Sequence, residues 1–205
     1  MATVEALSIC SDEELVAHFR KGRKEAFAEL VRRYERELYG YLRRYLRDGS
    51  LAEDVFQNTF LQVYLKIELY EKGRPVRPWL YTIATRQAID AMRRNGRHQS
   101  VSLHRIRDDQ ESAEGDDMTG WLACKEINPL DAAEGEERSL VVRAAVEQLP
   151  EFLRQVVLLG YYQGLKYREI AEILDIPLGT VKSRLHTALE KLQAIWTATP
   201  ALNEV

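Results

Sequence analysis

Tyr167-Arg168-Glu169-Ile170-Ala171-Glu172-Ile173-Leu174-Asp175-Ile176-Pro177-Leu178-Gly179-Thr180-Val181-Lys182-Ser183-Arg184-Leu185-His186 holds two short helical patterns separated by a tight turn. Ile170, Ala171, Ile173 and Leu174 form an apolar stripe with a small residue in it, which lets a second helix cross closely. Pro177 cannot continue that helix and disfavours helical geometry at Ile176, while Asp175 is among the few residue types that tolerate a left-handed turn. A new helix can start at Leu178 or Gly179. Along it Val181, Leu185, Ala188 and Leu192 recur at helical spacing and make one buried face. Thr180, Lys182, Ser183, Arg184, His186 and Thr187 are left on the outer faces. Short hydroxyls and cations of this kind suit base edges and phosphates in a major groove. The stretch is a helix-turn-helix pattern.

Outward from this segment further helical patterns follow on both sides of one non-periodic stretch. Pro150 begins a helix through Leu159, and Asn128-Pro129 is a helix start, cap then proline, for a helix to about Leu149. Residues 128–205 therefore read as a C-terminal helix-turn-helix domain. At the other end Ser11-Asp12-Glu13-Glu14 is a capping box, and that helix stops near Gly22. From Lys24 to about Leu46, Phe27, Leu30, Val31, Tyr34, Leu38, Tyr41, Leu42 and Tyr45 recur at three- and four-residue steps. Asp48-Gly49-Ser50 is the following turn, and Ser50 with Glu53 reads as a second capping box. Val55, Phe56, Phe60, Val63 and Tyr64 carry the third helix. Pro78 suits the first turn of a fourth, Trp79 to about Arg94, which buries Trp79, Leu80 and Ile83 and is expected to end at Asn95-Gly96. Residues 1–97 thus read as a four-helix domain.

Between the two, residues 98–127 lose periodicity. They carry 3 Lys/Arg against 7 Asp/Glu, with Asp108–Asp117 the most acidic part, and predict a flexible acidic linker. Trp121 and Leu122 are its apolar exceptions. The fold class predicted is all-α: two small helical domains joined by that linker.

The overall net charge of −3 conceals a basic front, with 18 Lys/Arg against 14 Asp/Glu in residues 1–97. Phosphate attraction alone would hold such a chain weakly on DNA, so a partner is expected. Cys10 and Cys124 stand far apart without a ligand pattern around them, which gives no sign of a disulfide framework or a metal site. No stretch approaches the ~18 apolar residues of a membrane span, and a cytoplasmic protein without membrane insertion is expected. Paired carboxylates, a phosphate loop or a nucleophile with its base are also missing from the pattern; His186 stands alone, and no catalytic residue or cofactor is assigned.

Asp54-Val55-Phe56-Gln57-Asn58-Thr59-Phe60, Trp79-Leu80-Tyr81-Thr82-Ile83-Ala84 and Gly179-Thr180-Val181-Lys182-Ser183-Arg184-Leu185-His186, in this order and spacing, resemble the extracytoplasmic-function (ECF) group of bacterial sigma factors. The resemblance runs from about Ser11 to Leu192. It implies a two-domain promoter-specificity subunit that binds core RNA polymerase, recognises −10 and −35 elements and helps melt the promoter. Asp54 and Gln57 are implied as polymerase contacts. The loop Tyr70–Arg77 and the helix after it are implied to bind the −10 element and its non-template single strand, through Tyr70 as a stacking ring and Lys72, Arg74, Arg77, Arg86, Arg93 and Arg94 as cations. Trp79 is expected to pack in the core instead. Lys166, Thr180, Lys182, Ser183, Arg184, His186 and Thr187 are implied to contact double-stranded DNA at the −35 element. An anti-sigma factor is implied as a further partner.

The chain departs from the group's pattern at Thr187 and Gly160, where relatives often have arginine. Arg86-Gln87 stands where Asn and an apolar residue are common, and the loop lacks Phe-Arg-Gly. Two other functions fit a helix-turn-helix chain: a stand-alone DNA-binding regulator, which would normally dimerise, and an interaction module that sequesters a partner.

Overall fold

Several of the described helices begin where a polar side chain satisfies free backbone donors or a proline removes one. The computed structural model describes residues 7–98 and 142–198. Helix α1, Asp12–Arg20, carries the expected capping box: the Glu14 amide donates to Ser11 Oγ at 3.2 Å and the Ser11 amide to Glu14 Oε2 at 2.7 Å. Gly22, at φ 88°, turns the chain into α2, Lys24–Leu46. Leu30, Tyr34, Leu38, Tyr41, Leu42 and Tyr45 all lie on its buried face.

Arg47 closes α2 in the left-handed conformation at φ 61°, its N–H donating to Arg43 O. The next cap differs from the sequence expectation. Asp48, and not Ser50, caps α3, Gly49–Lys66, by accepting from the Leu51 amide at 3.1 Å. Asp48 holds extended geometry at φ −124°, which aims its carboxylate at the first free amides, so Ser50 falls inside the first turn. A 3₁₀ turn, Ile67–Leu69, follows.

Helix α4 spans Val76–His98. Pro78 sits in its first turn, where an absent N–H costs nothing. The helix runs through Asn95-Gly96, past the stop the sequence predicted. Gly in a helix costs only ~1 kcal/mol relative to Ala, which makes Asn-Gly a weak point here rather than an end.

Two polar ties orient this domain. Arg33 donates to Asp12 Oδ1 at 2.8 Å and to Glu29 Oε1 at 3.2 Å, while Tyr34 donates to Asp12 Oδ2 at 2.5 Å, joining α1 to α2. The Val76 amide donates to Glu13 Oε1 at 3.1 Å, fixing the start of α4 against α1.

In the second half, residues 142–148 form helix α5 and Glu151–Val157 form α6. The chain then widens into a π-turn, Leu158–Tyr162, with Gln163 N donating to Leu158 O. Helix α7, Tyr167–Leu174, ends at Asp175 in the left-handed region, φ 54° and ψ 49°, and α8 covers Leu178–Ala198. Leu153, Val156, Leu159, Ile170, Ile173, Val181, Leu185 and Ala188 close the core between them. The proposed linker, Trp121, Leu122, Cys124 and the Asn128-Pro129 helix start lie outside the described residues. Among the described residues there is no strand.

Candidate nucleic-acid interface

The recognition surface rests on the alternation of buried and exposed positions along α8. Val181, Leu185 and Ala188 are buried against α6 and α7, which turns Lys182, Ser183 and His186 outward. Thr180 and Thr187 are half-buried at the edges of this face. Ser183 Oγ donates to Thr180 O at 3.1 Å, and His186 Nε2 stands 3.4 Å from Glu190 Oε1 with both side chains exposed. Lys166 is exposed just ahead of α7, its amide held by Glu169 Oε2 at 2.7 Å. Arg184 behaves differently from its neighbours. It is half-buried, with its guanidinium 5.5 Å over the Phe152 ring.

Asp175 makes the crossing of the two helices possible. Its left-handed backbone lets Ile176 N return to Ala171 O at 3.1 Å, and Val181 N then takes Pro177 O at 3.2 Å. Gly160 explains one departure from the family pattern. A Cβ there would lie 3.5 Å from Ile170 Cδ1 and 3.9 Å from Leu185 Cδ2, so in this chain the position faces the core and not a phosphate.

The loop before α4 exposes Lys72 and Arg74, with Arg74 paired to Glu71 at 2.8 Å. Arg86 is exposed on α4; farther along, Arg93 lies 3.9 Å from Asp90 and Arg94 Nε donates to Asp90 O at 3.2 Å. Arg77 is partly withdrawn: its Nη2 donates to Glu37 Oε1 at 2.6 Å, and its guanidinium covers the Tyr81 ring. Burial acts against the Arg77 charge, but the Glu37 carboxylate outweighs it and holds the group above its ordinary pKa.

Tyr70 corrects the sequence reading. It is 5% exposed, packs on Trp79 with ring centroids 5.2 Å apart, and donates to Arg74 O. Its ring braces the loop from inside and is not presented to a base. Trp79 is half-buried against the core, in line with the packing role expected of it.

Asp54 and Gln57 share the exposed face of α3 with Asn58, Leu61, Tyr64 and Leu65. The sequence reading missed the apolar part of this face. Leu61 follows Asp54 at seven residues and Gln57 at four, which is the available signal; Tyr64, grouped by spacing with Phe60, is half exposed and still meets the Phe19 and Phe27 rings at 5.3 and 5.4 Å.

Comparison with known proteins agrees with this geometry. Residues 30–98 match the model of Sigma-70 region 2, and residues 139–192 match that of Sigma-70 region 4. The ECF RNA polymerase sigma factor SigW of Bacillus subtilis (strain 168) is 32% identical over 178 residues, covering 87% of this chain and 92% of the relative. This chain belongs to the ECF group of the sigma-70 family. The ECF RNA polymerase sigma-E factor of Escherichia coli (strain K12) is 34% identical over 183 residues, covering 89% and 92%. The fold of this sigma factor is also that of CnrH, solved in complex with the cytosolic domain of CnrY, at TM-score 0.64 and 23% identity over 92% of this chain and 99% of that one. As an ECF sigma factor it directs transcription initiation and is not an enzyme. No helix among the described residues is long and apolar enough to cross a membrane.

Proposed function

We propose that this sigma factor binds core RNA polymerase in the cytoplasm and carries it to promoters with −35 and −10 elements. The observation that carries the reading is the face of α8, where Lys182, Ser183 and His186 project from a helix locked behind by Val181, Leu185 and Ala188. In this reading Lys182, Ser183, His186 and Thr187 meet base edges of the −35 duplex, with Thr180 at the helix start. Lys166 lies beside phosphates, and Arg184 reaches them by leaving the Phe152 ring. Lys72, Arg74, Arg77 and Arg86 guide the unpaired non-template strand of the −10 element past the loop braced by Tyr70, and Arg93 and Arg94 follow the backbone. The mixed face of Asp54, Gln57, Leu61 and Leu65 docks on the polymerase, with polar groups setting register and leucines supplying buried area.

An anti-sigma factor is a further partner in this reading. A solved structure of similar fold holds the sigma factor RpoE with the anti-sigma factor NepR from Bartonella quintana, at TM-score 0.60 and 22% identity. Purification of the tagged chain from resting and stressed cells checks this: recovery of polymerase subunits alone from both would remove the inhibitor from the account.

The deciding experiment is run-off transcription from sheared genomic DNA with sigma-free core polymerase, with and without the protein, and mapping of RNA 5′ ends. New starts that share two upstream elements are expected. Their absence with a folded, inhibitor-free protein would overturn the proposal in favour of a stand-alone regulator or a sequestering module.

A further inference from the structure

Helix α1 holds both ends of the loop that precedes α4. Arg20, in the last turn of α1, reaches the chain as it leaves the 3₁₀ turn. Its Nη2 donates to Glu68 O, its Nη1 to Tyr70 O at 3.2 Å and its Nε to Glu68 Oε2 at 3.2 Å. At the far end of the loop, Glu13 Oε1 accepts from the Val76 amide at 3.1 Å. Glu13 and Arg20 are seven residues apart, so they share one face of α1 and stand about 10 Å apart along its axis. Between the two anchors Glu71, Lys72, Gly73, Arg74 and Pro75 are all exposed.

The attachment of α1 to the rest of the domain uses other residues. Asp12 takes Arg33 and Tyr34 of α2, and Leu15 and Val16 are buried. Glu13 and Arg20 are left to the loop, and their bonds to its backbone carry the tie. The Glu68 side chain is 72% exposed, and an ion pair so open to water adds little. The Arg20 side chain is only 21% exposed, and its planar fork presents separate N–H groups to two carbonyls, which a lysine could not match. Inside the loop, the Tyr70 hydroxyl donates to Arg74 O. Gly73, at φ 90°, gives the turn a backbone that other residues avoid.

We propose that Arg20 and Glu13 are positioning residues for −10 recognition, holding the loop so that Lys72 and Arg74 already stand in place when the unpaired strand arrives. This rests on the −10 reading above. Neither residue touches DNA; both act through the loop backbone. Ordering the loop before the strand binds removes that cost from the binding step. Fixing the backbone of about one residue in advance is worth roughly five- to thirtyfold in affinity.

Arg20→Ala, Glu13→Ala and Glu13→Gln test the brace in the full chain. Hydrogen exchange over residues 69–78 of the free protein is expected to quicken in both alanine variants, with exchange in α2 and in the helix-turn-helix unchanged. Glu13→Gln keeps an acceptor oxygen for the Val76 amide and is expected to match wild type. Holoenzymes built with each variant are then titrated with a labelled single-stranded non-template −10 oligonucleotide and with a duplex −35 fragment, both from a promoter mapped by run-off. The single-strand Kd is expected to rise roughly fivefold or more in the alanine variants while the duplex Kd stays put. Wild-type exchange in both alanine variants, an unchanged single-strand Kd in a loosened loop, or equal losses on both DNAs would overturn the proposal. Should Arg20→Ala lose helicity by circular dichroism, the two Glu13 variants decide by the same criteria. A wild-type holoenzyme that ignores the single strand would refute the −10 reading itself, and exchange would still show whether α1 braces the loop.

Discussion

Lys182 and Leu185 stand three residues apart on α8 and carry opposite duties, so a pair of alanine substitutions separates reading from folding. Leu185 is 4% exposed between α6 and α7, and a buried leucine cut to alanine costs about 2–5 kcal/mol. Residues 142–198 are a small unit whose total stability, at about 0.05–0.15 kcal/mol per residue, is only roughly 3–9 kcal/mol. Leu185→Ala therefore removes roughly a fifth or more of it and lowers both the melting temperature and promoter use. Lys182 is exposed, and surface changes of this kind usually stay within about 0.5 kcal/mol. Lys182→Ala is expected to leave melting unchanged while costing about 1–3 kcal/mol of promoter discrimination, a loss of roughly 5- to 150-fold. The assays are thermal denaturation followed by circular dichroism and run-off transcription on a mapped promoter. A melting loss in Lys182→Ala equal to that of Leu185→Ala, or unchanged promoter use, would refute the division of α8 into a packing face and a reading face.

Three further outcomes are expected. Leu61→Asp, at an exposed site, should weaken core polymerase binding at least tenfold in a pull-down titration without shifting the melting temperature; unchanged binding would remove α3 from the docking surface. Hydrogen bonds from Arg32, with Arg33 behind them, outweigh burial and hold the Glu29 carboxyl below its usual pKa, so its stabilising effect is complete above about pH 4.5 and disappears as pH falls through the lowered value. Melting should accordingly drop more steeply below pH 4.5 in wild type than in Glu29→Gln, and parallel pH profiles would contradict this. At φ 54°, Asp175→Gly should be neutral or slightly stabilising and Asp175→Val should cost about 1–2 kcal/mol, as read by chemical denaturation; the reverse order would disprove the strained turn.

The α8 face and the Asp175 turn were legible in the sequence because both are local. A helical period sorts Val181 and Leu185 from Lys182 and His186 before any packing is known, and Pro177 forces the chain to break where it does. The α3 cap was misread for a comparably local reason: Asp48 and Ser50 both qualify by residue type, and only the extended backbone at Asp48 chose between them. Tyr70 was misread because an aromatic ring in a basic loop fits a stacking platform and a buried brace equally well. Its contact with Trp79, nine residues on, decided the matter.

The sequence by itself determined helix content, the order of the two domains and the outward residues of the recognition helix, since each follows from periodicity and turn chemistry within a few residues. Only the tertiary structure decided that Arg77 is tied to Glu37, that Arg184 lies on Phe152, and that Gln155 and Gln163 reach Tyr45 and Tyr81. Glutamine and tyrosine at such positions suit solvent and buried hydrogen bonds alike. A partner 82 or 110 residues away leaves no mark on local pattern, and only close approach of the two surfaces reveals it.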